Sequence, residues 1–271
     1  MRGPYDVRFE WGLAGADALA PSSSCLVVVD VLSFSTSVTV AAEAGTRVYP
    51  CAWRDESAAE FARMHQAQLA VGRRAVSADQ PWSLSPAALR RAPFTPRLVL
   101  PSPNGSAICA AASAVGAGSD AGSDAVADAG SVTGAGVAVI AGCLRNAAAV
   151  GRYLRECGSS GPVTVIAGGE RWPDGSLRPA LEDLLGAGAI LSALRAAEAG
   201  RLSPEAEAAR ACFEGTADVA AAVAGSVSGR ELTEGGFGED VAIAAEIDAC
   251  HLVPVLSGGA FAAISMTSST G

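Results

Sequence analysis

Short, wholly apolar runs recur along the chain, and each gives way to a polar turn and then to a stretch with helical spacing. Residues 25–31 (CLVVVDV) form a continuous valine-rich run, the pattern of a strand buried on both faces. Residues 97–101, 137–141 and 163–167 repeat it. The turns that follow are Ser102-Pro103-Asn104-Gly105, Gly142-Cys143-Leu144-Arg145-Asn146, and a polar loop that leads into a helix beginning near Pro179. Repeated strand–loop–helix units predict an α/β protein, a three-layer α/β/α arrangement around a largely parallel or mixed central sheet.

The intervening pattern fills in the remaining elements. Val7, Phe9 and Trp11 alternate with Arg8 and Glu10 as a half-buried strand. A helix over 36–44 is ended by Gly45, and residues 47–51 make a short strand. Asp55 is placed to cap a helix running to about Val71. Residues 202–247 read as several helices with glycine punctuation, Ser203-Pro204 being a helix start. A strand returns over 251–256. The low-complexity segment 113–136 predicts a surface excursion, and the Ser/Thr-rich residues 266–271 a frayed tail. The expectation is one α/β domain over 1–265, with a division into two lobes left open.

Composition narrows the classes of function. Of 271 residues, 50% are hydrophobic but only 5% aromatic, so the core must pack through small side chains. Net charge is −9, and no basic patch supports a nucleic-acid partner. An acidic protein that binds an anion must concentrate its cations, or a metal, at the site. Seven cysteines are scattered without a CxxC pair, which argues against a disulfide framework or a zinc cluster and for reduced thiols. No apolar run is long enough to span a bilayer, the first residues carry no apolar leader, and the expected location is cytoplasmic.

Open α/β sheets bind ligands beyond the carboxyl ends of their strands, so polar residues there are the candidates. Asp30 ends the VVVD run, and reads either as a Mg2+ ligand or base or as a loop-pinning cap. Leu32 stands where an aspartyl phosphatase of the haloacid-dehalogenase type needs a second aspartate. Ser33, Ser35 and Thr36 open the next helix, where hydroxyls and unpaired N–H groups hold a phosphate or simply cap the helix. Asn104, Gly105 and Ser106 form a second such turn, and Arg145 offers a planar fork in a third. The stretch 168–183 concentrates Glu170, Arg171, Asp174, Arg178, Glu182 and Asp183. Arg178 and Glu182 are spaced to pair with each other. Glu182 and Asp183 point about 100° apart on a helix, so only one of them reaches a given ion directly. GxxxxGK[ST], GxSxG and HExxH are absent. The two histidines, His65 and His251, do not suit a Ser/His/Asp triad.

Taken in order, VVVDVLSFSTSV, LPSPNGS, GCLRNAAAV, PALEDLLGAGAI and DVAIAAEIDACHLVPVL resemble the 2-phosphosulfolactate phosphatase family over about residues 25–256. The resemblance implies a three-layer α/β fold and Mg2+-dependent hydrolysis of the phosphate ester of a sulfonated hydroxy acid. It assigns Asp30, Asn104, Glu182 and Asp183 to catalysis, Asp30 with Glu182 and Asp183 to the metal, and Gly105 and Asn146 to matching positions of the site. Departures accompany it. Ser33 stands where many members have arginine, Ser83-Leu84-Ser85-Pro86 replaces an Asn-Ser-Pro turn, and 113–136 is an addition. Arg145, Arg171 and Arg178 are expected to restore the charge missing at Ser33. Together with Ser33, Ser35, Thr36, Gly105, Ser106 and Asn146 they complete the expected substrate-binding set. The expected reaction is attack of water on a small anionic phosphorylated metabolite, with no nucleic-acid or membrane partner and a homo-oligomer left open. The alternatives are a non-catalytic anion-binding protein on this fold, or a different metal-assisted hydrolase.

Overall fold

The computed structural model describes residues 5–52, 56–114, 137–156, 161–196 and 200–265. Within them the strands are β1 (Val7–Trp11), β2 (Cys25–Val29), β3 (Arg47–Cys51), β4 (Gln68–Leu69), β5 (Arg97–Pro101), β6 (Ala138–Gly142), β7 (Val163–Ala167), β8 (Glu170–Arg171), β9 (Leu177–Arg178), β10 (Leu252–Ser257) and β11 (Ala260–Ser265). The helices are α1 (Gly12–Leu19), α2 (Phe34–Glu43), α3 (Glu56–Met64), α4 (Pro86–Arg91), α5 (Gly105–Ala114), α6 (Ala147–Glu156), α7 (Leu181–Ala196), α8 (Pro204–Glu214), α9 (Val219–Gly225), α10 (Val227–Glu234) and α11 (Gly238–Ala244).

The protein is α/β, with a nine-stranded mixed sheet in the order β1-β7-β2-β6-β10-β11-β3-β5-β4. It consists of two parallel blocks, β1-β7-β2-β6 and β3-β5-β4. Between them lies the antiparallel hairpin β10–β11. The all-apolar sequence of β2 follows from its position, because alternate residues face two different cores. Val27 and Val29 pack with Val165, Leu185 and Ile190 under α6 and α7. Leu26 and Val28 pack with Phe34, Val38, Ile108 and Cys109 of α2 and α5. That second core also takes Val48, Leu98 and Leu100 from the other block and Phe261 from the hairpin.

Most predicted strands form where the apolar runs lie. The exceptions are local. The helix expected to reach Val71 ends at Met64 as α3. Gln66 adopts φ 51°, a left-handed conformation that stops a helix, and the chain then enters β4 beside β5. Asp55, the expected cap, lies outside the described residues, as do 115–136 and 266–271. Residues 113 and 114 of the expected excursion belong to α5. Helix α7 starts at Leu181, after the small β8–β9 hairpin that the polar loop did not predict. Among the described residues no helix is long and apolar enough to cross a membrane.

Candidate active site

The loops that leave β2, β5 and β7 converge on Asp30. Its Oδ1 accepts from the Ser33 hydroxyl at 3.1 Å and from the Phe34 N–H at 3.2 Å. Its Oδ2 accepts from the Gly105 N–H at 3.2 Å. Gly105 is required there, since a Cβ at that position would lie 2.4 Å from Cδ1 of the buried Phe34. Asp183, in the first turn of α7, ties two of the loops together. Its Oδ1 takes the Val31 N–H at 2.7 Å and its Oδ2 the Gly169 N–H at 2.8 Å. Asp30 and Asp183 are close neighbours. A Cβ placed on Gly168 would be 3.4 Å from the Asp30 Cβ and 3.6 Å from Asp183 Oδ2.

Glu182 differs from both. Its residue is 1% exposed, yet its carboxylate makes no hydrogen bond to the described residues. Burial raises the Asp30 carboxyl above its ordinary range, against the opposing effects of its N–H and O–H donors and of Arg73. Asp183 is raised well above its range by burial first, and then by the charges of Asp30 and Glu182.

A cleft of about 1050 Å³ opens beside this cluster, and Ser33, Arg73, Arg74, Glu170, Arg171 and Arg178 contribute to its wall. Helix α10 and the turn after it close the far side with Glu231, Leu232 and Phe237. Arg178 reaches Glu231 at 3.4 Å and lies 5.6 Å over the Trp172 ring, so the predicted pairing with Glu182 does not form. A second cavity of about 310 Å³ is lined in part by Asn104, and Glu170 and Arg171 border both cavities. The Asn104 amide donates to Gly169 O at 3.0 Å and to a Glu170 carboxylate oxygen at 3.4 Å. Burial, then the charges of Asp30 and Glu182, push the Glu170 carboxyl up to about 7.

Several of the expected substrate contacts are engaged within the protein instead. Arg145 is 2% exposed and faces away from both cavities. It donates to Glu246 and Glu43 at 3.0 and 2.9 Å and to the Thr39 hydroxyl at 2.9 Å. The 3-10 turn over Leu144–Asn146 rotates it off the cleft. Asn146 is consumed by the same turn, accepting from Cys143 N and donating to Ala141 O and Leu252 O. The hydroxyls of Ser35, Thr36 and Ser106 donate to the carbonyls of Val28, Val31 and Leu100. They serve their own loops, as capping residues do. Ser33, Arg171 and Arg178 remain on the cleft wall. The sequence reading passed over Arg73 and Arg74 because it placed a helix up to Val71. The signal was there in Gln68 to Gly72, a short extended run ending in glycine that puts both arginines in a strand-end loop.

A metal held by Asp30, Glu182 and Asp183 together is not what the side chains offer. Among the described residues, no group of three or more His, Cys, Asp or Glu side chains forms a metal-binding set. Both Asp183 oxygens are already engaged by backbone N–H groups. A smaller donor set fits Mg2+, which takes one or two carboxylates and keeps several waters. A buried carboxylate such as Glu182 is costly unless hydrogen bonds or a cation neutralise it. Asp30, close to Asp183, is a second buried carboxylate of the group.

The family model described as 2-phosphosulpholactate phosphatase matches residues 119–259. The matched stretch contains Glu170, Arg171, Arg178, Glu182 and Asp183, whereas Asp30, Arg73 and Asn104 precede it. No curated protein matches the chain.

Proposed function

The chain belongs to the 2-phosphosulpholactate phosphatase family, and on that premise we propose that it hydrolyses the phosphate monoester of a small anionic hydroxy acid with the help of Mg2+. The observation that carries this reading is a group of buried carboxylates, Asp30 and Asp183 with Glu182 adjacent to Asp183, near a cleft walled by arginines. Carboxylates alone would repel a phosphate. Arginines alone would bind one without needing buried acids nearby.

In this reading Asp30 and Glu182 would hold the ion. When bound, Mg2+ neutralises charge on the phosphoryl oxygens and the leaving oxygen. Arg171 and Arg178 bind the phosphoryl group through charge-assisted hydrogen bonds. Asp183 keeps the Asp30 loop and the Gly169 loop in register, so the carboxylates and arginines stay fixed relative to each other. Water is the attacking group. We assign transfer of its proton to Glu170, which borders both cavities and whose proton affinity near neutrality suits that task.

The test is release of inorganic phosphate from 2-phosphosulfolactate and from a panel of phosphorylated hydroxy acids, with Mg2+ or with EDTA. Wild type should release phosphate only with Mg2+, and Asp30→Asn should lower kcat/KM by roughly a hundredfold or more. Folded wild type that releases phosphate from no ester would refute the proposal.

A further inference from the structure

The loop between β4 and α4 carries a guanidinium that neither the carboxylate cluster nor the phosphoryl-binding arginines explain. Arg73 has a side chain 19% exposed on the cleft wall. Its Nε donates to Asp240 Oδ2 at 3.0 Å, and its Nη2 donates to Leu32 O at 2.8 Å. Asp240 is buried and also accepts from the Ser85 hydroxyl at 2.6 Å and the Ala87 N–H at 3.0 Å. The anchor is therefore fixed by α4 and α11 together. Leu32 belongs to the loop that carries Asp30 and Ser33, so Arg73 spans from the C-terminal helices to the catalytic loop.

These contacts occupy one edge of the guanidinium and part of another. Nη1 makes no hydrogen bond to the described residues, and a guanidinium carries donors there in a fixed fork. Arg73 lines the same cleft as Ser33, Arg171 and Arg178. Its charge also favours the ionised form of Asp30, so it lies within electrostatic reach of the cluster. A guanidinium already clamped at two points loses little further freedom when it binds a ligand.

We propose that Arg73 is a specificity-determining residue that binds a second anionic group of the substrate, a carboxylate-type oxyanion on the hydroxy-acid skeleton, while Arg171 and Arg178 take the phosphoryl group. This assignment rests on the phosphatase reading for its substrate, but its binding component can be tested without turnover. Asp240 is the positioning residue that holds the fork in place.

Wild type, Arg73→Lys and Arg73→Gln are compared on 2-phospholactate and on isopropyl phosphate, which replaces the carboxylate by a methyl group. Affinity for 2-phospholactate is measured calorimetrically in EDTA on the same proteins, with circular dichroism to establish the folded fraction. Both variants should lose at least about tenfold of the wild-type preference for 2-phospholactate, through KM, and bind it at least about tenfold more weakly. Lysine keeps the charge beside Asp240 but not the fork, so Arg73→Lys separates recognition from folding. A folded Arg73→Lys with wild-type preference and affinity overturns the inference and leaves Arg73 a loop clamp. Wild type that neither binds 2-phospholactate nor prefers it also overturns it. Wild type that binds 2-phospholactate yet hydrolyses no ester refutes the phosphatase reading, and the variants' affinities then decide Arg73 alone.

Discussion

Asp183 accepts one backbone N–H at each carboxylate oxygen, whereas its neighbour Glu182 accepts none from the described residues, although both are buried. Asp183 thus pins the loops that carry Asp30 and Gly169, and Glu182 is buried next to it. Such a cluster carries a pH signature. Asp30, Asp183 and Glu170 all have folded-state proton affinities above their ordinary values. A raised carboxyl binds its proton more tightly in the folded than in the unfolded chain. Its contribution is therefore fully present below the unfolded value and is lost as pH rises through the folded one. For Glu170 that window opens at the ordinary glutamate range and closes around its folded value of about 7. In EDTA the urea midpoint of wild type should fall between pH 5 and pH 8, and Glu170→Gln should fall by less. An identical fall in both proteins would show that Glu170 titrates normally. Mg2+ should restore more stability at pH 8 than at pH 5, because protons and the cation compete for the same carboxylates.

At the scale of elements, legibility followed hydrophobic pattern. The runs at 25–31, 97–101 and 163–167 announced β2, β5 and β7 because strands buried on both faces have no polar alternation to blur them. Their carboxyl ends drew attention to Asp30, Asn104 and the loop before α7, which the fold brings together. What could not be read were elements too short to hold a period. The two-residue strands β4, β8 and β9 gave no pattern, so β4 was read as the end of a helix, Arg73 beyond it was passed over, and the Glu170 hairpin was read as plain loop. The turn over Leu144–Asn146 shows the same limit. One turn of 3-10 instead of α-helix changes the direction of Arg145 and carries it from the cleft to Glu43 and Glu246. This placement predicts a structural phenotype. Arg145→Ala should cost about 2–4 kcal/mol in urea unfolding, from lost charge-assisted hydrogen bonds, with KM for the preferred ester unchanged. A raised KM at wild-type stability would return Arg145 to the site.

Across the whole molecule, the hairpin β10–β11 decides whether the two parallel blocks act as one body. It meets β6 through the pair Val255–Ile140 and β3 through Phe261–Val48, narrow joints beside the five-residue registers inside each block. The side chains compensate for the narrow joints. Phe261 is 1% exposed and meets Phe34 edge-on, ring centroids 6.0 Å apart. Phe34 in turn packs where a Gly105 side chain would be and donates its N–H to Asp30. A packing contact in the hairpin is thereby linked to the orientation of the loop that carries Asp30. Phe261→Ala should destabilise the protein by about 3–5 kcal/mol, and Phe261→Leu by less. Phosphate release by the folded fraction of Phe261→Ala should also fall, because Phe34 and the N–H beside it lose their support. The shared core of β2, β5 and Phe261 further predicts one cooperative transition, with tryptophan fluorescence and far-UV circular dichroism giving the same midpoint in both variants. Separated midpoints would mean that the blocks unfold independently. The hairpin would then be a tether between them, and a change at Phe261 would no longer be expected to reach Asp30.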